Sequence, residues 1–100
     1  MAKMIVVCAG SANTRFDRQY YTTEHFALTR ECWGRYGLEA VDAFFPDGEG
    51  DGWLSIGVYR FGSTNDIDVA LNAPEMERVM ADVKNFTDAT IVMRDIFSPM

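Results

Sequence analysis

The chain has 100 residues, 48% of them hydrophobic, which is enough to fill one core but too short for two. Its formal net charge of −6 works against binding to a phosphate backbone, so no nucleic acid is expected as a partner. The longest apolar run near the N-terminus, Met4–Ala9, is shorter than the roughly 7–15 residues of a signal peptide's apolar region, and no run approaches the roughly 20 residues of a membrane span. We therefore expect one domain over residues 1–100, in the cytoplasm and without a membrane partner.

The first part of the chain predicts a strand followed by a helix. Lys3–Cys8 is a short run rich in Ile, Val and Met, typical of a strand, and Asn13 or Thr14 is expected to cap the next element. From Phe16 onward apolar residues recur at three-to-four spacing, which indicates an amphipathic helix that ends in the glycines of residues 34–37. Its two rows are Phe16, Tyr20, Thr23 and Ala27, and Tyr21, His25, Leu28 and Cys32.

A hairpin is predicted next. Leu38–Phe45 is strand-like and stops at Pro46, and Trp53–Phe61 forms its partner strand. Residues 47–52 between them resemble the start of a calcium loop. However, Val58 stands where that loop needs a bidentate Glu, so we predict an acidic hairpin tip instead.

The second half predicts a helix in two segments and a last strand. Ser63 to Asp66 has the spacing of a helix-start box, and Pro74 divides or kinks the helix that follows. Thr90–Phe97 closes the chain as the fourth strand. The order β-α-β-β-α-β predicts an α+β, ferredoxin-like fold with a four-stranded antiparallel sheet and both helices on one face.

Both alternating rows of the third strand are largely apolar. One row is Leu54, Ile56 and Val58, and the other includes Trp53, Tyr59 and Phe61. A sheet face turned to water would show polar residues in one row, so a second copy of the chain is expected to cover the face away from the helices. The pattern predicts a homodimer.

Two segments far apart in the chain are distinctive in combination. Residues 16–25 carry Phe-Asp-x-x-Tyr-Tyr-x-x-x-His, and residues 82–88 carry Asp-x-x-Asn-Phe-Thr-Asp. With Gly37-Leu38 at a strand entry and Tyr59-Arg60-Phe61 before a serine-led helix, they resemble the EthD family, which is named for ethyl tert-butyl ether degradation. The sequence departs from the family pattern at Phe26-Ala27-Leu28, where a proline is expected.

The resemblance implies a dimeric α+β barrel, in which the sheets of two ferredoxin-like subunits pack face to face. It implies little chemistry. Proteins of similar architecture include cofactor-free monooxygenases, muconolactone-type isomerases, haem-binding enzymes and proteins with no assigned reaction, so the fold alone cannot choose among them.

His25 is the candidate for acid–base chemistry, because an imidazole with its ordinary pKa of about 6.5 suits proton transfer near neutrality. Tyr21, four residues earlier on the same helix face, is the candidate to orient the ring or a ligand. We expect the pair to line a pocket between helix and sheet. The alternative is a core histidine with hydrogen-bonded nitrogens; spacing alone favours it, and the resemblance keeps the cavity role open.

The other polar candidates are assigned structural roles. Asp82, Asn85 and Thr87 could donate or accept hydrogen bonds at a pocket mouth, but they lie beside a helix end, where such side chains commonly bond to the backbone. Phe86 is expected to plug the core beneath them. One histidine with Cys8 and Cys32 gives no metal-ligand spacing, and the two cysteines are expected to be buried reduced thiols. No metal is predicted.

Three functions remain open. The first is a small cofactor-independent enzyme, monooxygenase-like or isomerase-like, that acts on an apolar organic molecule with His25 as acid or base. The second is a non-catalytic dimeric binding or auxiliary protein of a catabolic pathway, which would explain why no second catalytic group accompanies His25. The third is a haem protein with His25 as axial ligand, which ranks last, so no cofactor is expected.

Overall fold

A computed structural model describes residues 1–48 and 52–100 and contains a four-stranded antiparallel sheet covered by helices. The sheet order is β2-β3-β1-β4, which confirms the predicted ferredoxin-like arrangement. The strands are β1 (Ala2–Ala9), β2 (Leu38–Phe44), β3 (Trp53–Phe61) and β4 (Ile91–Phe97). The helices are α1 (Arg18–Tyr20), α2 (Phe26–Trp33), α3 (Thr64–Asn72) and α4 (Met76–Asp82). The predicted acidic hairpin tip falls mainly on residues 49–51, which lie outside the described residues.

A five-residue π-helical turn, Tyr21–His25, joins α1 to α2. Within it the N–H of Phe26 donates to the carbonyl of Tyr21, five residues earlier, so the turn is wider than an α-helical one. The predicted helix is therefore one continuous helical segment with a local change of pitch. A 3₁₀ turn, Gly34–Tyr36, ends it at Gly37, whose φ of 101° only glycine adopts readily.

The cap of this first helix differs from the prediction. Asp17, rather than Asn13 or Thr14, accepts a hydrogen bond at Oδ1 from the N–H of Tyr20, at 2.9 Å. The residues before it are not available as caps. Thr14 closes a turn with Ser11, and Phe16 forms a β-bridge to Thr87. The helix starts only after that bridge.

The second helical region follows the predicted pattern. Ser63 caps α3 by accepting a hydrogen bond from the N–H of Asp66 at 3.1 Å. The chain then leaves the helix at Ala73, whose ψ of 154° is the extended backbone favoured before a proline. Pro74 thus separates α3 from α4, as predicted. No helix in the described part of the chain is both long and apolar enough to cross a membrane.

The two rows of β3 face different environments. Ser55, Gly57, Tyr59 and Phe61 are buried under the helices, whereas the alternate row is only half-buried. Strand register extends this division across the sheet. Met4 pairs with Tyr59 and lies on the helix-covered face with it. Because side chains alternate along a strand, the neighbours of Met4 and Tyr59 point to the opposite face. We call the uncovered side the open sheet face; its apolar residues are Ile5, Val7, Phe44, Ile56, Val58, Met93 and Phe97.

Candidate functional site

The loop before α1 is bonded directly to the segment that follows α4. The N–H of Asp17 donates to the carbonyl of Phe86 at 2.7 Å, and the N–H of Arg15 donates to Oδ1 of Asp88 at 2.8 Å. Thr87 is buried, and its hydroxyl donates to the carbonyl of Arg15 at 2.7 Å. The structural role predicted for Thr87 is confirmed. The two distinctive segments of the sequence, residues 16–25 and 82–88, are therefore joined by hydrogen bonds.

Phe86 packs against the first helix. It is buried, and its ring centroid lies 4.6 Å from that of His25, 4.7 Å from that of Tyr21 and 5.3 Å from that of Phe16. Such tilted and edge-on aromatic contacts add to simple apolar burial. The prediction that Phe86 plugs the core is confirmed, and the plug also forms one wall around the histidine.

His25 pairs with a carboxylate. Its side chain is buried, with the whole residue 3% exposed, and its Nδ1 lies 2.9 Å from Oδ2 of Asp82. The other oxygen of Asp82 accepts hydrogen bonds from the hydroxyl of Tyr20 at 2.7 Å and from the amide of Asn85 at 2.9 Å. Asp82 therefore does more than tie a helix end: three side chains converge on it, and one of them is the only histidine of the chain.

The pair has a defined charge state at neutral pH. Burial lowers the pKa of His25 below its usual value, and the hydrogen bond and charge of Asp82 oppose this without cancelling it. Partial burial raises the pKa of Asp82, but the hydrogen bonds from Asn85, Tyr20 and His25 outweigh this and hold it below its usual value. Because a carboxylate only accepts, Nδ1 of the neutral ring carries the proton. Nε2 is then the basic nitrogen.

Tyr21 contacts His25 through its ring rather than its hydroxyl. The two rings stack at a centroid distance of 5.7 Å and an angle of 18°. The Tyr21 hydroxyl instead lies 3.5 Å from that of Tyr59, above Gly57, whose missing side chain leaves room for it. Burial raises the pKa of Tyr21 to about 12 and that of Tyr59 well above the usual value. Both hydroxyls stay protonated and can only donate or accept hydrogen bonds.

A cavity of about 170 Å³ lies between α4, the first helix and the sheet, and both His25 and Tyr21 line it. Its lining is mostly apolar, and the exposed members Met80, Val92 and Arg94 mark the side on which it reaches solvent. The further lining residues are Met4, Val6, Cys8, Trp33, Tyr59, Met76, Val79, Val83 and Phe86. The arrangement can hold a small apolar molecule beside a neutral imidazole.

Sequence reasoning missed Arg94 and assigned Asp82 a structural role, without the pairing to His25. The partner of His25 is 57 positions away, and Arg94 lines the cavity only because of its register on β4. The available signal was the Asp-x-x-Asn spacing at the end of a helix, which is compatible with a carboxylate held in place by the amide. Within the described ranges, no three His, Cys, Asp or Glu side chains lie together as metal ligands would. Cys8 and Cys32 are buried and unpaired, as expected.

Comparison with known proteins yields structural relatives only; no protein-family model and no curated protein matches the chain. An EthD-like protein from Ralstonia eutropha superposes with a TM-score of 0.83 at 17% identity, covering 97% of this chain and 89% of that one. An ethyl tert-butyl ether degradation (EthD) family protein from Bacillus halodurans superposes with a TM-score of 0.72 at 19% identity, covering 100% and 99%. The chain has the fold of EthD-like proteins.

The same EthD-like fold extends to an oxygenase. SnoaB from Streptomyces nogalater, described as a cofactor-independent oxygenase, superposes with a TM-score of 0.65 at 11% identity, covering 99% of this chain and 91% of that one. Identities this low show the fold and carry no residue roles to this chain.

Proposed function

We propose that this EthD-like protein binds a small apolar organic molecule in the cavity and that His25 exchanges a proton with it. The observation that carries the proposal is the histidine–carboxylate pair in the wall of an otherwise apolar cavity. A lowered pKa leaves His25 unprotonated at neutral pH, and Asp82 holds Nδ1, so Nε2 is the nitrogen free to act as a general base. Tyr21 orients the imidazole by stacking its ring on it, and its hydroxyl beside Tyr59 is the polar group that a bound molecule could contact.

The reaction class that fits is proton abstraction from carbon or oxygen, followed by isomerisation or elimination, or by oxidation in which dioxygen accepts the electrons, within a degradation or biosynthetic pathway. A general base in a mostly apolar cavity is the contribution that protein side chains can make to such chemistry. The cofactor-independent oxygenase of similar fold supports this class by analogy.

Non-catalytic binding is the second candidate, and one observation favours it. The cavity wall contains two hydroxyl groups in addition to the imidazole of His25, those of Tyr21 and Tyr59. Their raised pKa values make them poor proton donors. A protein that only carries an apolar metabolite for a catabolic pathway would need no second proton-transfer group.

The haem alternative fits the cavity poorly. Its volume of about 170 Å³ is close to that of an engineered cavity of about 150 Å³ that takes benzene, whereas a porphyrin is a macrocycle of four pyrrole rings and is several times larger. Binding haem at His25 would require α4 to move away from the sheet.

We further propose that the protein is a homodimer built through its open sheet face and that it works in the cytoplasm. Half-buried and exposed apolar residues on that face support the dimer, among them Phe44, Met93 and Phe97, which are more than 50% exposed. The unpaired thiols of Cys8 and Cys32 are in keeping with a reducing compartment.

The binding proposal is tested by filling the cavity. Val83 lines it, whereas Val69 lies on α3 at 46% exposure and does not. Small molecules that accompany the purified wild-type protein would be identified by mass spectrometry, and binding of a library of one-ring compounds would be measured in parallel. Val83→Phe is expected to abolish retention and binding, and Val69→Phe to leave both unchanged. Equal binding by the two variants would contradict the proposal.

Catalysis is tested on whichever molecule binds. His25→Gln keeps a polar side chain but cannot act as a base, so turnover should fall by roughly 10²–10⁴-fold while binding changes little. If the variant loses stability by about 1–3 kcal/mol and no turnover is found for any ligand of the wild type, the non-catalytic binding protein is the correct function.

A further inference from the structure

Arg94 stands at the open side of the cavity. On β4 it pairs with Val6 of β1, which places it on the helix side of the sheet together with Val92 and Ile96. It lines the cavity and is exposed. Within residues 1–48 and 52–100, its guanidinium makes neither an ion pair nor a side-chain hydrogen bond.

Three other arginines pair with carboxylates, whereas Arg15, Arg18 and Arg30, which form no ion pair with a described residue, lie outside the main cavity lining. Arg35 lies 3.0 Å from Glu75, and Arg60 and Arg78 each lie 3.6 Å from a glutamate. The protein has a net charge of −6, yet no carboxylate of the described residues pairs with this arginine at the cavity mouth, so its guanidinium is available to bind an anion from outside. The planar guanidinium of an arginine presents parallel N–H groups that can donate to both oxygens of a carboxylate.

The remaining lining sets the shape of that ligand. Val79 and Val83 on the helix side and Met4 and Val6 on the sheet side are apolar, so they favour a hydrocarbon body. The volume of about 170 Å³ corresponds to roughly one aromatic ring. A charged group is costly to bury there but remains partly hydrated at the exposed end beside Arg94.

We propose that the ligand is a small organic anion, with a body of about one ring and one carboxylate or comparable anionic oxygen group that Arg94 binds. This inference rests on the proposed function, since it names the class of molecule that the same cavity takes. The anionic end lies at the mouth, and the apolar body extends inward to the ring of His25.

Six methionines provide the probes for a test. Met4, Met76 and Met80 line the cavity, whereas Met1, Met93 and Met100 do not. Benzoate and benzamide have nearly the same shape, but only benzoate is charged at about pH 7. Titrations of protein with ¹³C-methyl methionine at low ionic strength would be followed by NMR for the wild type, Arg94→Gln and Arg30→Gln. Arg30 is exposed on α2, lies outside the cavity lining, and provides the control for lost charge.

Both compounds should shift the three cavity methyl signals, with benzoate binding about fivefold more tightly or better. Arg94→Gln should remove that preference while benzamide affinity stays the same, and Arg30→Gln should retain the preference. A preference that is absent in the wild type, or that survives Arg94→Gln, would overturn this inference and leave the cavity proposal standing. If neither compound shifts the cavity methyl signals, the proposed function fails and the inference fails with it.

Discussion

His25 packs against the rings of Tyr21 and Phe86 and meets a carboxylate at Nδ1. Burial of this kind disfavours the imidazolium, and one partly buried carboxylate does not compensate for the lost water. The imidazole is therefore neutral, and its proton is on Nδ1, the nitrogen that faces Asp82. A buried neutral histidine makes folding depend on pH.

Protonation of His25 should destabilise the protein. Its pKa is lower in the folded state than in the unfolded chain, where it is about 6.5, so the unfolded chain binds the proton first as pH falls. The stabilisation is complete above about pH 6.5 and is lost as pH falls through the folded-state pKa. Denaturant unfolding from about pH 7.5 to about pH 5 should show this loss in the wild type and not in His25→Gln. An NMR titration midpoint of His25 above 6.5 would refute the assignment.

Removing the charge of Asp82 should lower both the pKa of His25 and the stability of the protein. Because Asp82 raises the pKa of the ring, Asp82→Asn should lower it further, as followed by NMR. The variant should also lose about 1–3 kcal/mol of unfolding free energy, because an amide has one acceptor oxygen where the carboxylate has two, so either Nδ1–H of His25 or the hydroxyl of Tyr20 loses its acceptor. Asp68, an exposed residue of α3, provides the control as Asp68→Asn and should change neither quantity. An unchanged His25 titration in Asp82→Asn would show that the pair does not form in solution.

At the level of elements, the π-helical turn and a glycine in β3 together determine where the rings of Tyr21 and His25 lie. The turn spans Tyr21–His25, so both predicted site residues lie in the one segment where the helix departs from α geometry. Such turns are frequently found at functional sites. Beneath it, Gly57 lets the hydroxyl of Tyr21 approach the sheet closely.

Gly57→Ala should disturb the packing of Tyr21 against the sheet. A Cβ at that position would overlap the hydroxyl of Tyr21, which ends a rigid buried ring and cannot move aside easily. We expect a loss of about 1–3 kcal/mol and weaker ligand binding. The control is Gly34→Ala, where the backbone is helical and nothing lies within 4 Å of the added carbon, so stability should stay the same or rise. Equal stability of the two variants, measured by denaturant unfolding, would contradict the packing described here.

At the scale of the whole molecule, the sheet has one face under the helices and one open. The centre of the open face is apolar, and the charged side chains on that face include Lys3, Asp42, Arg60 and Asp95. Ile5 and Val58 pair across β1 and β3 near its centre, and Phe44 and Ile56 pair across β2 and β3. A contiguous apolar surface of this kind on a small chain favours association with an identical surface.

The dimer should therefore depend on the open sheet face and bury more than about 1,000 Å² in total. Ile56→Lys places a charge on that face and should give a monomer in sedimentation experiments at micromolar concentration. Thr22→Lys adds the same charge at an exposed position of the π-helical turn and should stay dimeric. A monomeric wild type, or an Ile56→Lys variant that remains dimeric, would rule out this interface.

The fold was accessible from the sequence because its signals are local. Alternation over Trp53–Phe61 reproduced β3 to the residue, Ser63 marked the start of α3 through its own side chain, and Pro74 divided the helices because a proline lacks an N–H. The burial of His25 could also be predicted, since it shares a helix face with Tyr21 and Cys32.

The site itself was decided by tertiary structure. His25 and Asp82 meet only because the end of α4 packs against the first helix, and no periodicity along the chain records a pair 57 positions apart. The cap at Asp17 depends on a β-bridge from Phe16 to Thr87, and the position of Arg94 depends on how β4 pairs with β1. Local patterns determine which elements form; charge pairing and strand register, which act across long sequence separations, determine what the cavity presents to a ligand.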